Sequence, residues 1–178
     1  MIWDSSPWKD ELLRDADILQ RWAQKSGFSN RQGFLMEKKV FIAAYAIRKL
    51  FEAEKLRTTL KHTSILCDEY ASRDSTGMGP HNNHRLDSFY DIENPNRVSV
   101  NVRVLADQII HSYVFMLSGD EDKVDGFFVA SEHERHKRLL RVPIDSFCDF
   151  MRQVGNDSVV ESRMIRNGKT GEWTVTNR

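Results

Sequence analysis

Val40-Phe41-Ile42-Ala43-Ala44-Tyr45-Ala46-Ile47 is an unbroken apolar run inside a longer stretch, Phe34 to Leu56, rich in strong helix formers and free of proline. A helix that is apolar on every face cannot lie on a water-facing surface, so this segment is expected at the centre of the core or in a dimer interface. Just before it, Ser29 and Gln32 stand at capping-box spacing, which marks a helix start. Further upstream, Ser6-Pro7 opens another helix, since proline at the first helical position gives up only an N–H that would be unpaired anyway. Trp8, Leu12, Ala16, Leu19 and Trp22 then recur at steps of three and four, and Gly27 supplies the stop.

Downstream the pattern changes period. Thr63, Ile65 and Cys67 alternate like a strand. Arg73 to Asn96 is dense in Gly, Pro, Asn, Asp and Ser, and a loop of that length in a compact domain is either mobile or functional. Val98, Val100, Val102 and Val104 alternate, yet Val98, Val102, Leu105 and Ile109 also follow helical steps. Leu105 to Gln108 continue that period without a turn signal, so a helix is predicted from about Arg97 to His111, opened by Asn94-Pro95. Tyr113–Leu117, Phe127–Ala130 and Leu139–Val142 read as a three-strand meander. Pro143 opens a short helix with Phe147, Phe150, Met151 and Val154 on one face. The segment 159–176 reads as two strands joined across Asn167–Gly171.

The predicted fold is α+β: two N-terminal helices and a later helix packed on one side of a small antiparallel sheet, formed mainly by the C-terminal half. One domain is expected over 1–178. It has a helical part at about 1–56, a flexible loop at about 73–96, and a helix plus sheet-bearing part at about 97–178.

The 26 basic and 26 acidic residues among 178 cancel, so no global field draws the chain to nucleic acid or to an anionic membrane. Cys67 and Cys148 form no CxxC pair, which fits a reducing compartment, and a cytoplasmic location is expected. The opening MIWDSSPWKDELL has neither the basic nor the apolar region of an export signal, and no run of about 18 apolar residues occurs, so no membrane contact is expected. No phosphate-binding glycine loop and no GxSxG elbow is present.

Asp107-Gln108-Ile109-Ile110-His111-Ser112-Tyr113 is the first candidate for chemistry, because a polar or basic residue one helical turn before a histidine can position and protonate a ribose oxygen. The wording resembles the arginine-x4-histidine motif of HEPN ribonucleases over these few positions. Ala106 stands where that motif has arginine and Asp107 where it prefers asparagine, so Arg103, one turn earlier, is the substitute cation. Arg57 and His62 make a second match to the spacing. The plain structural alternative is that His111 ends a helix.

Histidine clustering gives a second candidate. His81 and His84 lie with Asp87 in the long loop, while His133 and His136 lie with Glu132 and Glu134 between two strands. If the loops met, they would bind zinc or a related transition metal; otherwise these are solvated loop histidines. A third candidate is the basic run Arg135, His136, Lys137, Arg138 and Arg141, which would contact phosphates if Arg163, Arg166 and Lys169 joined it. A solvated hairpin is the alternative. Trp3 and Trp8 can anchor a partner, although core packing also accounts for Trp8.

The expected function is an interaction or regulatory module without its own catalytic centre, acting through a protein partner or self-association. The alternatives are an RNA-acting, nuclease-like protein using His111 or Arg57 and His62, and a metal-binding protein using the loop histidines. Whether the chain is an enzyme stays open at this level.

Overall fold

A computed structural model describes residues 2–27, 29–73, 76–120 and 123–178. In chain order the elements are α1 (Ser6–Ala23), α2 (Asn30–Glu52), a 3-10 turn (Thr58–His62), β1 (Ser64–Ala71), α3 (Leu86–Phe89), β2 (Asn96–Asn101), α4 (Val102–Ile110), β3 (Ser112–Gly119), β4 (Val124–Ser131), β5 (Arg138–Pro143), α5 (Ile144–Gly155), β6 (Ser162–Arg166) and β7 (Trp173–Asn177). The α+β class and the two leading helices are as the sequence implies.

The capping box forms: Gln32 N–H donates to Ser29 Oγ at 3.3 Å, and Ser29 N–H donates to Gln32 Oε1 at 3.1 Å. The helix it opens ends at Glu52, short of Leu56. There Lys55 N–H returns to Leu50 O and Glu54 N–H to Phe51 O, which puts Glu54 at φ 54, a conformation glycine usually takes. Two interactions hold Glu54 in it: Lys61 Nζ at 2.6 and 2.8 Å from its carboxylate oxygens, and Asn177 Nδ2 donating to its carbonyl at 2.9 Å. At the start of α1 the cap falls on Ser5 rather than Ser6, and Asp4 Oδ1 accepts the Ser6 N–H.

One segment departs from its predicted form. The helix expected from Arg97 begins only at Val102, and Asn96–Asn101 is a strand in antiparallel register with β1, Val98 opposite Cys67 and Val100 opposite Ile65. The β-branched alternation prevails because β1 supplies a pairing partner, and branched side chains fit a pleated surface better than a helix. Asn101 then caps the helix that follows, its side chain accepting the Arg103 N–H at 3.0 Å.

The sheet runs β2-β1-β5-β4-β3, with every neighbouring pair antiparallel, so the expected meander of β3, β4 and β5 is present. β6 and β7 form a separate two-stranded hairpin. On one face of the main sheet Phe127, Val129, Leu140 and Val142 pack against buried residues of α1, α2, α4 and α5. Phe127 lies at the centre, with Phe115 at 5.4 Å and Phe147 edge-on at 5.5 Å between ring centroids.

The second face carries its own cover. Tyr70, Val114, Ala130 and Leu139 bury against Met78, Leu86, Phe89 and Tyr90, all from the turn-rich stretch between β1 and β2. Arg135 fastens that stretch: its guanidinium lies 3.9 Å over the Tyr113 ring, Nη1 donates to Met78 O at 3.1 Å, and its carbonyl accepts the Tyr90 hydroxyl at 2.8 Å. Few apolar side chains mark this stretch in the sequence, yet four of them close one side of the sheet. Among the described residues, no helix is long and apolar enough to cross a membrane.

Candidate functional site

Two places draw together the residues singled out above: a polar hollow at the end of α4, and an apolar face on α1 and α2.

The hollow is built by α4. Leu105, Ala106 and Ile109 are buried in the core, which leaves Arg103 and Asp107 on the exposed side and His111 as the residue that ends the helix. Buried Gln108 ties this end to the sheet, its Oε1 accepting the Ser131 N–H at 2.9 Å, and Glu132 N–H donates to His111 O at 3.2 Å. These bonds bring the connection between β4 and β5 beside α4, so His133 and Glu132 join Asp107, Gln108 and His111 around a cavity of about 600 Å³.

No spacing or motif marks the arginine that stands at this place. Arg48, from the middle of α2, puts Nη1 2.9 Å from Asp107 Oδ1 and 3.3 Å from His111 Nε2, while its Nε pairs with Glu52 at 2.8 Å. The Glu52 hydrogen bond and the Asp107 charge both raise the Arg48 pKa, so its charge is fixed. An arginine has no lone pair to offer, so a hydrogen bond at this contact has His111 Nε2 as its acceptor. The pair sets an imidazole, a group able to move a proton, next to a guanidinium. Arg103 opens onto an adjoining crevice of about 80 Å³ that Arg48 and Asp107 also line.

The other matched pair goes elsewhere. Arg57 donates from its backbone N–H and its Nε to the buried carboxylate of Asp157, and His62 is exposed at the end of the 3-10 turn. No hydrogen bond between described residues joins either of them to the His111 group.

The loop histidines do not converge. His81 and His84 are exposed in the turns before α3, His133 lines the α4 cavity, and His136 is exposed in the turn before β5. Among the described residues, no group of three or more His, Cys, Asp or Glu side chains stands close enough to hold a metal ion.

Each arginine and lysine of the basic run is paired with a carboxylate. Arg135 pairs with Glu132 at 3.1 Å, Lys137 with Glu134 at 3.0 Å, Arg138 with Glu69 at 2.7 Å, and Arg141 with Asp68 at 3.0 Å and Asp125 at 2.6 Å. Strand alternation also sends Arg138 and Arg141 to opposite faces of β5. Burial alone would raise the Asp68 pKa, but Arg97 and Arg141 outweigh it and hold that carboxyl below its usual range. Arg163, Arg166 and Lys169 lie on the separate β6–β7 hairpin, so they do not extend the run. Cys67 and Cys148 are both free and buried, and burial pushes each thiol up to about 12.

The apolar face has a different character. Of the eight-residue run in α2, Val40, Ala43, Ala44, Ala46 and Ile47 are buried, whereas Ile42 and Tyr45 are 50% and 45% exposed. Phe34 lies on the same side of α2 and is 61% exposed. Trp8 of α1 tilts toward Tyr45 with ring centroids 6.5 Å apart. Together Trp8, Leu12, Ile42, Ala43 and Ala46 line a groove of about 300 Å³, with Glu11 at its rim. No family model matches this chain, and neither a curated protein nor a solved structure matches it.

Proposed function

We propose that the protein works by association, with the α1–α2 face as its docking surface and a second copy of the chain as the occupant. The observation that carries this reading is the distribution of exposed apolar side chains. Among the described residues eleven large ones are exposed. Trp3, Trp8, Phe34, Ile42 and Tyr45 come from α1, α2 and the residues just before α1, and Val160, Met164, Ile165 and Trp173 come from the β6–β7 region. Only Leu66 and Val104 fall elsewhere. Scattered apolar residues on a surface are ordinary, but concentration into patches is the mark of an interface. A chain that carries two such patches can satisfy both with another copy of itself.

Ile42→Glu tests the face directly. Ile42 is half exposed, so the carboxylate reaches water in a single chain and the fold tolerates it, whereas in a docked groove it would be desolvated. Light scattering is expected to give the mass of two chains for the unaltered protein and of one chain for Ile42→Glu. An unaltered protein with the mass of one chain contradicts the proposal.

A second reading rests on one contact, Arg48 at 3.3 Å from His111. It supplies an arginine beside His111, where the motif position in α4 holds Ala106, and supports RNA cleavage with His111 as base and Arg48 binding the phosphate. On that reading His111→Ala lowers cleavage of mixed RNA by about 100-fold or more. No cleavage by the unaltered protein, or cleavage unchanged in His111→Ala, removes it.

A further inference from the structure

Lys9 carries a charge that the fold takes out of water. One turn into α1, it is only 9% exposed, and its Nζ donates to the Asp157 carbonyl at 2.9 Å and the Lys55 carbonyl at 3.1 Å. An ammonium has three N–H donors, so these bonds leave one over. Among the described residues no carboxylate forms an ion pair with Lys9. The Asp157 carboxylate acts on it through charge but is itself bonded to the backbone N–H and the guanidinium of Arg57. Two carbonyl dipoles replace the lost water only in part, and a buried charge is ordinarily paired.

Lys9 lines a hollow of about 640 Å³ between the start of α1 and the chain that follows α2 and α5. Lys55 lines it too, and forms no ion pair among the described residues. Burial presses the Lys9 pKa down, the Asp157 charge raises it, and the Lys55 charge lowers it again, so the two ammoniums lie near enough to repel. The acids of the lining are already taken: Glu54 is held by Lys61 at 2.6 Å, and Asp157 by Arg57. Ser5, Ser158 and Ser162 add three hydroxyls to the wall, none of them hydrogen-bonded to a described residue. Ser5 holds the N-cap position of α1, yet its side chain makes no cap hydrogen bond. The surplus is two positive charges with hydroxyl donors around them, and its complement is an anion of two charges with several acceptor oxygens. A phosphate monoester has about −1.5 to −2 at pH 7 on three such oxygens, whereas a carboxylate brings one charge. A volume of 640 Å³ is that of a small-molecule site, and Ala53, Val159 and Met164 give it an apolar side.

We infer that this hollow binds a small phosphate monoester, with Lys9 and Lys55 holding the phosphoryl group and the organic part lying against Ala53, Val159 and Met164. The site is separate from the α1–α2 face and from the His111 hollow, and stands whether or not the chain self-associates. Isothermal titration calorimetry with phenyl phosphate, benzoate and inorganic phosphate tests it. Phenyl phosphate is expected to bind saturably, at least about tenfold tighter than either of the others. Lys9→Met is expected to abolish that binding. Lys55→Gln carries the test even if Lys9→Met does not fold, because the Lys55 side chain makes no hydrogen bond to a described residue. It is expected to weaken phenyl phosphate by about tenfold or more, the loss of one charge-assisted hydrogen bond, while Lys25→Gln, beyond the other end of α1, changes nothing. No saturable binding of phenyl phosphate, benzoate or inorganic phosphate binding as tightly as phenyl phosphate, or undiminished binding by Lys55→Gln would overturn the inference.

Discussion

Phe127→Ala is expected to destabilise the protein by about 4 kcal/mol. Phe127 is fully buried on β4, with Phe115 stacked at 5.4 Å on one side and Phe147 edge-on at 5.5 Å on the other. Removing the ring loses its transfer free energy and leaves a cavity that two aromatic neighbours, one on a strand and one on a helix, cannot close. A single domain has about 5–15 kcal/mol in total, so the loss removes between about a quarter and about four-fifths of it. Urea titration measures this: the midpoint falls steeply while the slope stays the same. A loss under about 1 kcal/mol would mean that the sheet and helices are not joined through this ring.

Asp157→Ala is expected to cost about 2–3 kcal/mol, less than the 3–5 typical of a broken buried pair because the Arg57 side chain is half exposed and can turn to water. The Asp157 carboxylate is wholly buried just after α5, where it accepts from the Arg57 backbone N–H at 2.8 Å and from the Arg57 guanidinium. Lys9 reaches the same residue at its backbone, donating from Nζ to the Asp157 carbonyl at 2.9 Å and to the Lys55 carbonyl at 3.1 Å. Burial lowers the Lys9 pKa and the Asp157 charge pushes it back up, so the alanine variant leaves a desolvated ammonium with less compensation. The sign of the pH dependence follows. A lysine whose folded pKa is depressed carries its penalty while protonated and loses it as pH rises through the lysine range. The gap in stability between Asp157→Ala and the unaltered protein should therefore narrow toward pH 10, and a gap that widens there would contradict the Lys9 assignment. Asp157→Asn, which keeps an acceptor for the Arg57 N–H, should lose less than Asp157→Ala.

The helical scaffold was legible because its signals are local. Ser29 and Gln32 announce α2 from three residues apart, and the apolar steps of α1 and α5 need no partner to be read. The segment from Arg97 to Asn101 was not legible, because valines at alternate positions that also fit a helical step become a strand only when β1 lies beside them. The cover of the second sheet face was hidden for a similar reason. Met78, Leu86, Phe89 and Tyr90 are dispersed among turn residues, and only the fold gathers them. At the site, Asp107 and His111 were visible as one helical face. Arg48 was not, because it arrives from another helix across about sixty residues of chain. The apolar run of α2 pointed to a core or to an interface, and its eight residues divide between the two: Val40, Phe41, Ala43, Ala44, Ala46 and Ile47 turn inward, and Ile42 and Tyr45 turn out.

The α1–α2 face has one consequence that is read without altering the chain. Sedimentation equilibrium of the native protein over a dilution series gives the mass of the particle in solution. Association through this surface predicts a particle of twice the 20.7 kDa chain that dissociates on dilution. A mass of 20.7 kDa at every concentration, including the highest attainable, would contradict it.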